Sequence, residues 1–264
     1  MLIIIMKNFI KISLIVFTIL STQMVFGQTA QFKVNGKSFN MVYVQGGTFM
    51  MGATKEQEGA WDNEKPCHKV TLDSYLIGET EVTQELWEAV MGKNPVFFYK
   101  SGKGAVHSVS WEDCQTFINL LNAKTGKKFR LPTEAEWEFA ARGGLNSRGY
   151  LYSGGNIPDN IGWYEVSKSK NKKCHVAKKK PNELGIYDMS GNVYEWCLDN
   201  FQEDYYSISP ERNPVCKNNS VFYVIRGGYW NSSPDACRVA KRSNWPGNDA
   251  PNLIGLRLVL PIEK

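Results

Sequence analysis

Along the chain, apolar and polar positions alternate first at Phe39-Asn40-Met41-Val42-Tyr43-Val44, which predicts a half-buried strand closed by Gly46-Gly47. Val70–Leu76 and Tyr75–Val82 read as further strands. The pattern then changes to helical spacing. Thr83 predicts the cap of a short helix running through Met91, with Gly92 just past its end. Ser110 with Asp113 three residues later forms a capping box for a helix to about Asn122, and Cys114, Phe117 and Leu121 repeat on one face of it. Thr133 with Glu136 opens a third helix over Glu134–Arg142, stopped by Gly143-Gly144. Beyond Gly144 the pattern predicts loops and short strands, ending in one strand over Ile254–Leu260. No internal repeat or linker divides the chain, so a single domain is expected over residues 28–264.

The first 27 residues follow a different logic. Lys7 and Lys11 precede the apolar run Ile12–Leu20, and the segment closes at Val25-Phe26-Gly27. The run falls short of the ~20 apolar residues a bilayer span needs. Residues 1–27 are therefore expected to be a cleaved export signal, giving a secreted or periplasmic protein with no transmembrane segment after cleavage. No cysteine precedes Cys67, which argues against a lipid-anchored start. Export bears on the six cysteines, Cys67, Cys114, Cys174, Cys197, Cys216 and Cys237. Each reads as a disulfide partner or a core filler, with Cys114 the core thiol of its helix. None stands in a C-x-x-C pair, so a zinc ribbon is not expected.

Composition narrows the function further. With 23 Gly and 11 Pro the chain is too rich in turns for a helical bundle. Eight Trp leave aromatic rings to spare for a surface or pocket. A net charge of +5 is too mild for a nucleic-acid partner.

Five blocks then carry a resemblance. They are Val44-Gln45-Gly46-Gly47-Thr48-Phe49-Met50-Met51-Gly52, Arg130-Leu131-Pro132-Thr133-Glu134-Ala135-Glu136-Trp137-Glu138, the run Pro181 to Trp196 containing Asp188-Met189-Ser190-Gly191-Asn192-Val193, Arg226-Gly227-Gly228-Tyr229-Trp230, and Cys237-Arg238-Val239-Ala240-Lys241-Arg242. In this order they resemble the sulfatase-modifying-factor family, whose type member is formylglycine-generating enzyme. The resemblance covers Met41 to the C-terminus. It implies an α+β, C-type-lectin-like fold of the formylglycine-generating-enzyme type, loop-rich, with loops pinned by buried polar contacts and calcium.

The resemblance also implies an activity, oxidation of a sulfatase cysteine with O2 and a copper ion held by two cysteines. Here Ser232 stands at the first cysteine's place, and only Cys237 lies at or near the second. A serine hydroxyl is a poor ligand for a soft cuprous ion, so copper is not expected. Tyr229 replaces the family's usual Ser, and Leu253 falls where the enzyme has an Asn. His68, His107 and His175 are too widely spaced for the iron site of the related sulfoxide synthases and read as satisfied or surface histidines. The expected function is a non-catalytic binding or scaffold protein. The alternative is an active formylglycine-generating oxidoreductase, or a related oxidase. Trp230, Asn231, Asn244, Trp245 and Asn248 are the side-chain types of adaptable recognition surfaces, suited to a protein or glycan ligand. Trp245 is expected partly exposed on a loop held by Ile254–Leu260, with Trp230 near it. Arg238 and Arg242 are implied to be buried struts.

For calcium, the resemblance implies a site at Asp188, Gly191, Val193 and Glu195, where carboxylates and loop carbonyls supply hard oxygen ligands. A second family site would begin at Asn160 and Ile161. The Lys-rich stretch Lys168–Lys180 reads as a solvated loop, or one that steers an anionic partner.

Overall fold

The computed structural model describes residues 29–55, 57, 59–97, 100–165 and 175–262. Residues 1–27, where an export signal is expected, Cys174 and the lysines from Lys168 to Lys173 lie outside the described residues. In chain order the strands are β1 (Thr29–Val34), β2 (Lys37–Val44), β3 (Gly47–Met51), β4 (His68–Leu72), β5 (Tyr75–Gly78), β6 (Tyr194–Asn200), β7 (Phe222–Arg226), β8 (Ser243–Pro246), β9 (Ile254–Gly255) and β10 (Val259–Pro261). The helices are α1 (Gln84–Met91), α2 (Trp111–Thr125), α3 (Glu134–Ala141) and the one-turn α4 (Pro158–Ile161) and α5 (Tyr205–Ile208). This mixture of helix and strand is the α+β class the sequence implies.

One antiparallel sheet runs β1-β2-β5-β10, and a second runs β8-β7-β6-β9 with β6 and β9 parallel. The hairpin β3-β4 stands apart. Strand alternation sends successive side chains to opposite faces. Thus Met41 and Tyr43 of β2 and Leu76 of β5 join the apolar cluster that α1 and α2 cover. Val42, Val44, Tyr75 and Ile77 join the other cluster, with α3 and the hairpin. The first sheet is therefore covered on both sides.

The helix starts were legible in detail. The Thr83 hydroxyl accepts the Leu86 N–H, and Gly92 closes α1 in the left-handed conformation. Ser110/Asp113 and Thr133/Glu136 form reciprocal capping boxes. The expected strand over Ile254–Leu260 breaks into β9 and β10, which belong to different sheets. Its middle turns Arg257 inward, fully buried, where the guanidinium donates to the Gly78 carbonyl at 2.8 Å and the Tyr187 carbonyl at 2.9 Å. Trp245 accordingly lies on β8 opposite Tyr223 of β7, and not on a loop held by that segment.

Cys114, Cys197, Cys216 and Cys237 are buried free thiols, core fillers rather than disulfide partners. Among the described residues no helix is long and apolar enough to cross a membrane.

Candidate functional site

The loop after β7 carries the positions of the family's copper cysteines. Ser232 is buried, and its hydroxyl accepts the Tyr229 N–H at 3.0 Å, while its own N–H donates to the Tyr229 carbonyl at 2.9 Å. It locks a turn. Cys237 ends a short 3-10 helix over Pro234–Cys237 and is 1% exposed. Gly228 lies against it with φ of +76°, and a Cβ there would come within 2.6 Å of the Cys237 sulfur. Burial pushes this thiol up to about 12, and the charges of Asp235 and Glu165 add to the effect. A buried thiol that keeps its proton at neutral pH is a weak nucleophile.

Beside this turn, half-buried rings form a short ladder. Tyr194 stacks on Tyr229 with centroids 5.6 Å apart, and Tyr229 meets Trp230 edge-on at 5.6 Å. The Ser232 and Ser243 hydroxyls lie close enough to the Tyr194 phenol to favour its ionised form, against the burial that raises it, which places the Trp230 turn beside the start of β8. On β8, Asn244 and Trp245 are half-buried, and the Trp245 indole donates to Asp249 at 2.8 Å. Asn231 and Asn248 are exposed. The expected surface residues thus stand at least partly open. Tyr194 was not singled out from the sequence, although its place ahead of Glu195-Trp196 put it inside a recognised block.

The arginines beneath are struts. Arg242 donates to both oxygens of Glu134, at 2.8 and 2.9 Å, and Arg226 bridges Glu134 and Glu138 at 2.7 Å each. Glu134 and Glu138 are four residues apart, so they share one face of α3. Burial alone would raise the Glu134 carboxyl, but Arg242 and then Arg226 outweigh it and hold it below its usual range. Arg238 engages both oxygens of Glu64 in the same way, at 2.8 and 2.9 Å.

The turn that the resemblance assigns to calcium runs through Asp188, Gly191, Val193 and Glu195. Asp188 stands buried at φ +59°, with Oδ2 accepting the Ala177 N–H at 2.6 Å and Oδ1 without a partner. Gly191 has φ of +89°, and a Cβ there would strike the Trp163 carbonyl oxygen at 2.1 Å, so only glycine lets the two backbones cross. Glu195 is engaged by protein donors on both oxygens. Oε1 accepts two bonds from Arg257, at 3.1 and 2.7 Å, and Oε2 accepts from Arg257 at 2.9 Å and from the Trp137 indole at 2.7 Å. Three N–H groups supply these contacts, the Arg257 Nε–H being shared between both oxygens, so of about four lone-pair sites not all are taken. Asp188 Oδ1 is thus open to a cation, while Glu195 lies between Arg257 and Trp137. At the second family position, the Asn160 carbonyl accepts the Lys180 N–H at 3.0 Å, the Lys179 ammonium lies 2.6 Å from the Asp159 carbonyl, and Ile161 packs beside Tyr152 and Cys237.

Two residues that sequence reasoning passed over complete the Asp188 environment. Asn192, at φ +64°, donates to Glu81 Oε1 at 2.9 Å. Its own Oδ1 and Glu81 Oε2 have no partner. Burial, then the Asp188 charge, pushes Glu81 well above the usual carboxylate range, and burial pushes Asp188 up to about 6. An available signal was the acid Glu81 set between apolar strand and helix cap, since an ionisable side chain is rarely buried unpaired.

Comparison with known proteins agrees with this geometry. The sulfatase-modifying factor enzyme 1-like domain matches residues 25–262. The chain is 30% identical to the chaperone protein LppX of Paenibacillus barcinonensis, over 84% of this chain and 89% of that protein. It is 31% identical to the formylglycine-generating enzyme of Streptomyces coelicolor, over 80% and 86% of the two chains. Among solved structures, Treponema denticola variable protein 1 superposes with a TM-score of 0.78 at 32% identity, covering 88% of this chain and 98% of the other. The chain belongs to the sulfatase-modifying factor enzyme 1-like family.

Proposed function

We propose that this protein is an exported, non-catalytic member of its family, a binding or scaffold domain whose contact surface is the aromatic and amide face around Trp230 and Trp245. The observation that carries the reading is the fate of the cysteine pair. Ser232 spends its hydroxyl on its own turn, and Cys237 is sealed beneath Gly228. Oxidation of a client cysteine through a cuprous dithiol has no ligand pair to start from. The face is suited to recognition because Tyr194, Tyr229 and Trp230 are held by ring contacts, so little side-chain entropy is lost on contact. A sugar ring or a partner side chain would lie against the half-buried rings, with Asn231 and Asn248 free to hydrogen-bond it. Relatives named as a chaperone and as a variable protein are consistent with such a use of the fold. Export rests on Lys7, Lys11 and the apolar run Ile12–Leu20.

The test is direct. Incubated with copper, O2 and a sulfatase-type cysteine peptide, the protein should form no aldehyde above a metal-free control. Aldehyde formation that Cys237→Ser abolishes would establish the oxidoreductase instead.

A further inference from the structure

We propose that this protein docks on anionic lipid surfaces, with Phe97 entering the interface and the lysines around it meeting the headgroup phosphates. The residues are distinct from those of the Trp230 face, and the inference does not rest on that reading. Phe97 is 80% exposed, while its neighbour Val96 is fully buried in the apolar cluster that α1 and α2 cover. The exposure is built in, because the chain leaves and returns to one buried amide. Gln84 opens α1 and is 2% exposed. Its Oε1 accepts the Asn94 side-chain amide at 3.0 Å and the Ser101 N–H at 2.9 Å. Asn94 Oδ1 in turn accepts the Val96 N–H at 3.0 Å, which fixes Val96 inside and leaves Phe97 outside.

Lysines stand around this neck. Lys93 and Lys100 flank it in the chain, and both are exposed. The Ser101 hydroxyl and His175 Nε2 lie 2.7 Å apart, and the Val176 N–H donates to the Lys103 carbonyl at 3.0 Å. These contacts bring Lys103 and Lys178, both exposed, to the wall of one cavity. Among the described residues none of the four ammoniums has a carboxylate within ion-pair reach, whereas Lys37, Lys65 and Lys69 each have one. The acids of that cavity are engaged elsewhere. Lys37 holds Glu85 at 3.0 Å, the Asn40 amide donates to Glu79 at 3.0 Å, and Glu81 lies buried against Asn192. Against the four lysines stands one exposed acid of α1, Glu88.

The combination of an open phenyl ring with open ammoniums selects the partner. A soluble polyanion such as a sulfated polysaccharide would need the lysines alone, since a phenyl ring offers it no hydrogen bond. A lipid surface uses both. The ring gains by leaving water at the boundary of headgroups and acyl chains, and the lysine stems lie along apolar surface while their heads reach phosphate.

Co-sedimentation with vesicles at equal total lipid tests the proposal. The protein to test is the domain from residue 28 onward, which holds every described element and omits the apolar run Ile12–Leu20. Vesicles of equal parts phosphatidylglycerol and phosphatidylcholine should bind it, pure phosphatidylcholine should bind it far less, and added salt should weaken binding. Lys103→Ala with Lys178→Ala should weaken binding about thirtyfold, from about fivefold per lysine. Phe97→Ser should weaken it about tenfold with no change of charge. All three are surface changes, so melting should match wild type. Lys217→Ala, beside Cys216, should leave binding within about twofold. Absence of binding, or equal binding to both kinds of vesicle, would overturn the proposal. So would binding that the lysine pair leaves unchanged. Binding that Phe97→Ser leaves unchanged would also overturn it, in favour of a polyanion that needs only the lysines.

Discussion

Two clusters of buried charge lie close to the middle of this molecule and are built from the same side-chain types. Around α3, Glu134 and Glu138 face Arg226 and Arg242, and Arg142 adds a further contact to Glu138 at 2.9 Å. Every carboxylate oxygen there meets a donor. Around Asp188, three carboxylates share the single guanidinium of Arg257, and three oxygens stay open. The electrostatic consequence differs in sign. Burial would raise every one of these carboxyls, but the arginines hold Glu134 and Glu138 below their usual range, whereas Glu81 and Asp188 are pushed above it. The first cluster is a finished strut. The second keeps acceptors that no protein donor fills. Buried charge by itself therefore says little about function, and what separates the two is whether the acceptors are filled.

The largest expected effect comes from breaking the finished cluster. Arg226→Met strips both Glu134 and Glu138 of a partner at 2.7 Å, and should cost about 3–5 kcal/mol in denaturant unfolding. The loss should be equal with calcium and with chelator, since no oxygen of this cluster is open. A loss under about 1 kcal/mol, or one that calcium restores, would erase the distinction between the clusters.

Asp199 sharpens the boundary of the strut. It is fully buried, accepts the Glu134 and Cys216 N–H groups at 2.8 Å each, and is pushed up to about 7 by burial and then by the Glu134 charge. Its folded value exceeds its unfolded value, so its stabilisation is present below the ordinary aspartate range and is lost as pH rises toward about 7. Glu134 and Glu138 run the other way, stabilising above about pH 4.5 and losing that as pH falls. Between about pH 4 and pH 8 the stability difference between wild type and Asp199→Asn should shrink by on the order of 3 kcal/mol. A difference constant across that range would show that Asp199 does not titrate there.

How much of this contrast was written in the sequence depends on how far apart the partners lie. The capping boxes at Ser110 and Thr133 join residues three apart, and both were legible. The struts at Arg238 and Arg242 were implied by the family blocks and stand as expected. Glu81 and Asn192 pair across 111 positions, and Arg257 and Glu195 across 62. No local pattern announces such contacts. Arg257 read as one polar residue in an apolar strand, and only the fold reveals that it breaks that strand to fill Glu195. The recognition face was half legible, since Trp230 and Trp245 were named while Tyr194, which links their elements, was not.

A smaller effect is expected at the cysteine-loop turn. Ser232→Ala leaves the Tyr229 N–H without its acceptor in a mostly buried turn and should cost about 1 kcal/mol, independent of calcium and copper. A copper-dependent change in melting at this residue would reopen the catalytic reading.

The smallest effect belongs to charge that is not buried at all, and it fixes the lower end of the comparison. Arg212 approaches Asp73 at 2.7 Å, as close as Arg226 approaches Glu134, but its side chain is 63% exposed and that of Asp73 is 44% exposed. Water competes for both groups in the unfolded and the folded chain, and holding a long side chain in one rotamer offsets part of the attraction. Arg212→Ala should therefore change stability by about 0.5 kcal/mol or less. Salt should shrink even that, because the Debye length at 0.15 M is about 8 Å and the pair lies open to mobile ions, whereas the Arg226 contacts are shielded from them. Unfolding of both variants at low and high salt separates the cases. A salt-insensitive loss above about 1 kcal/mol at Arg212 would mean that distance, and not burial, sets the strength of these pairs.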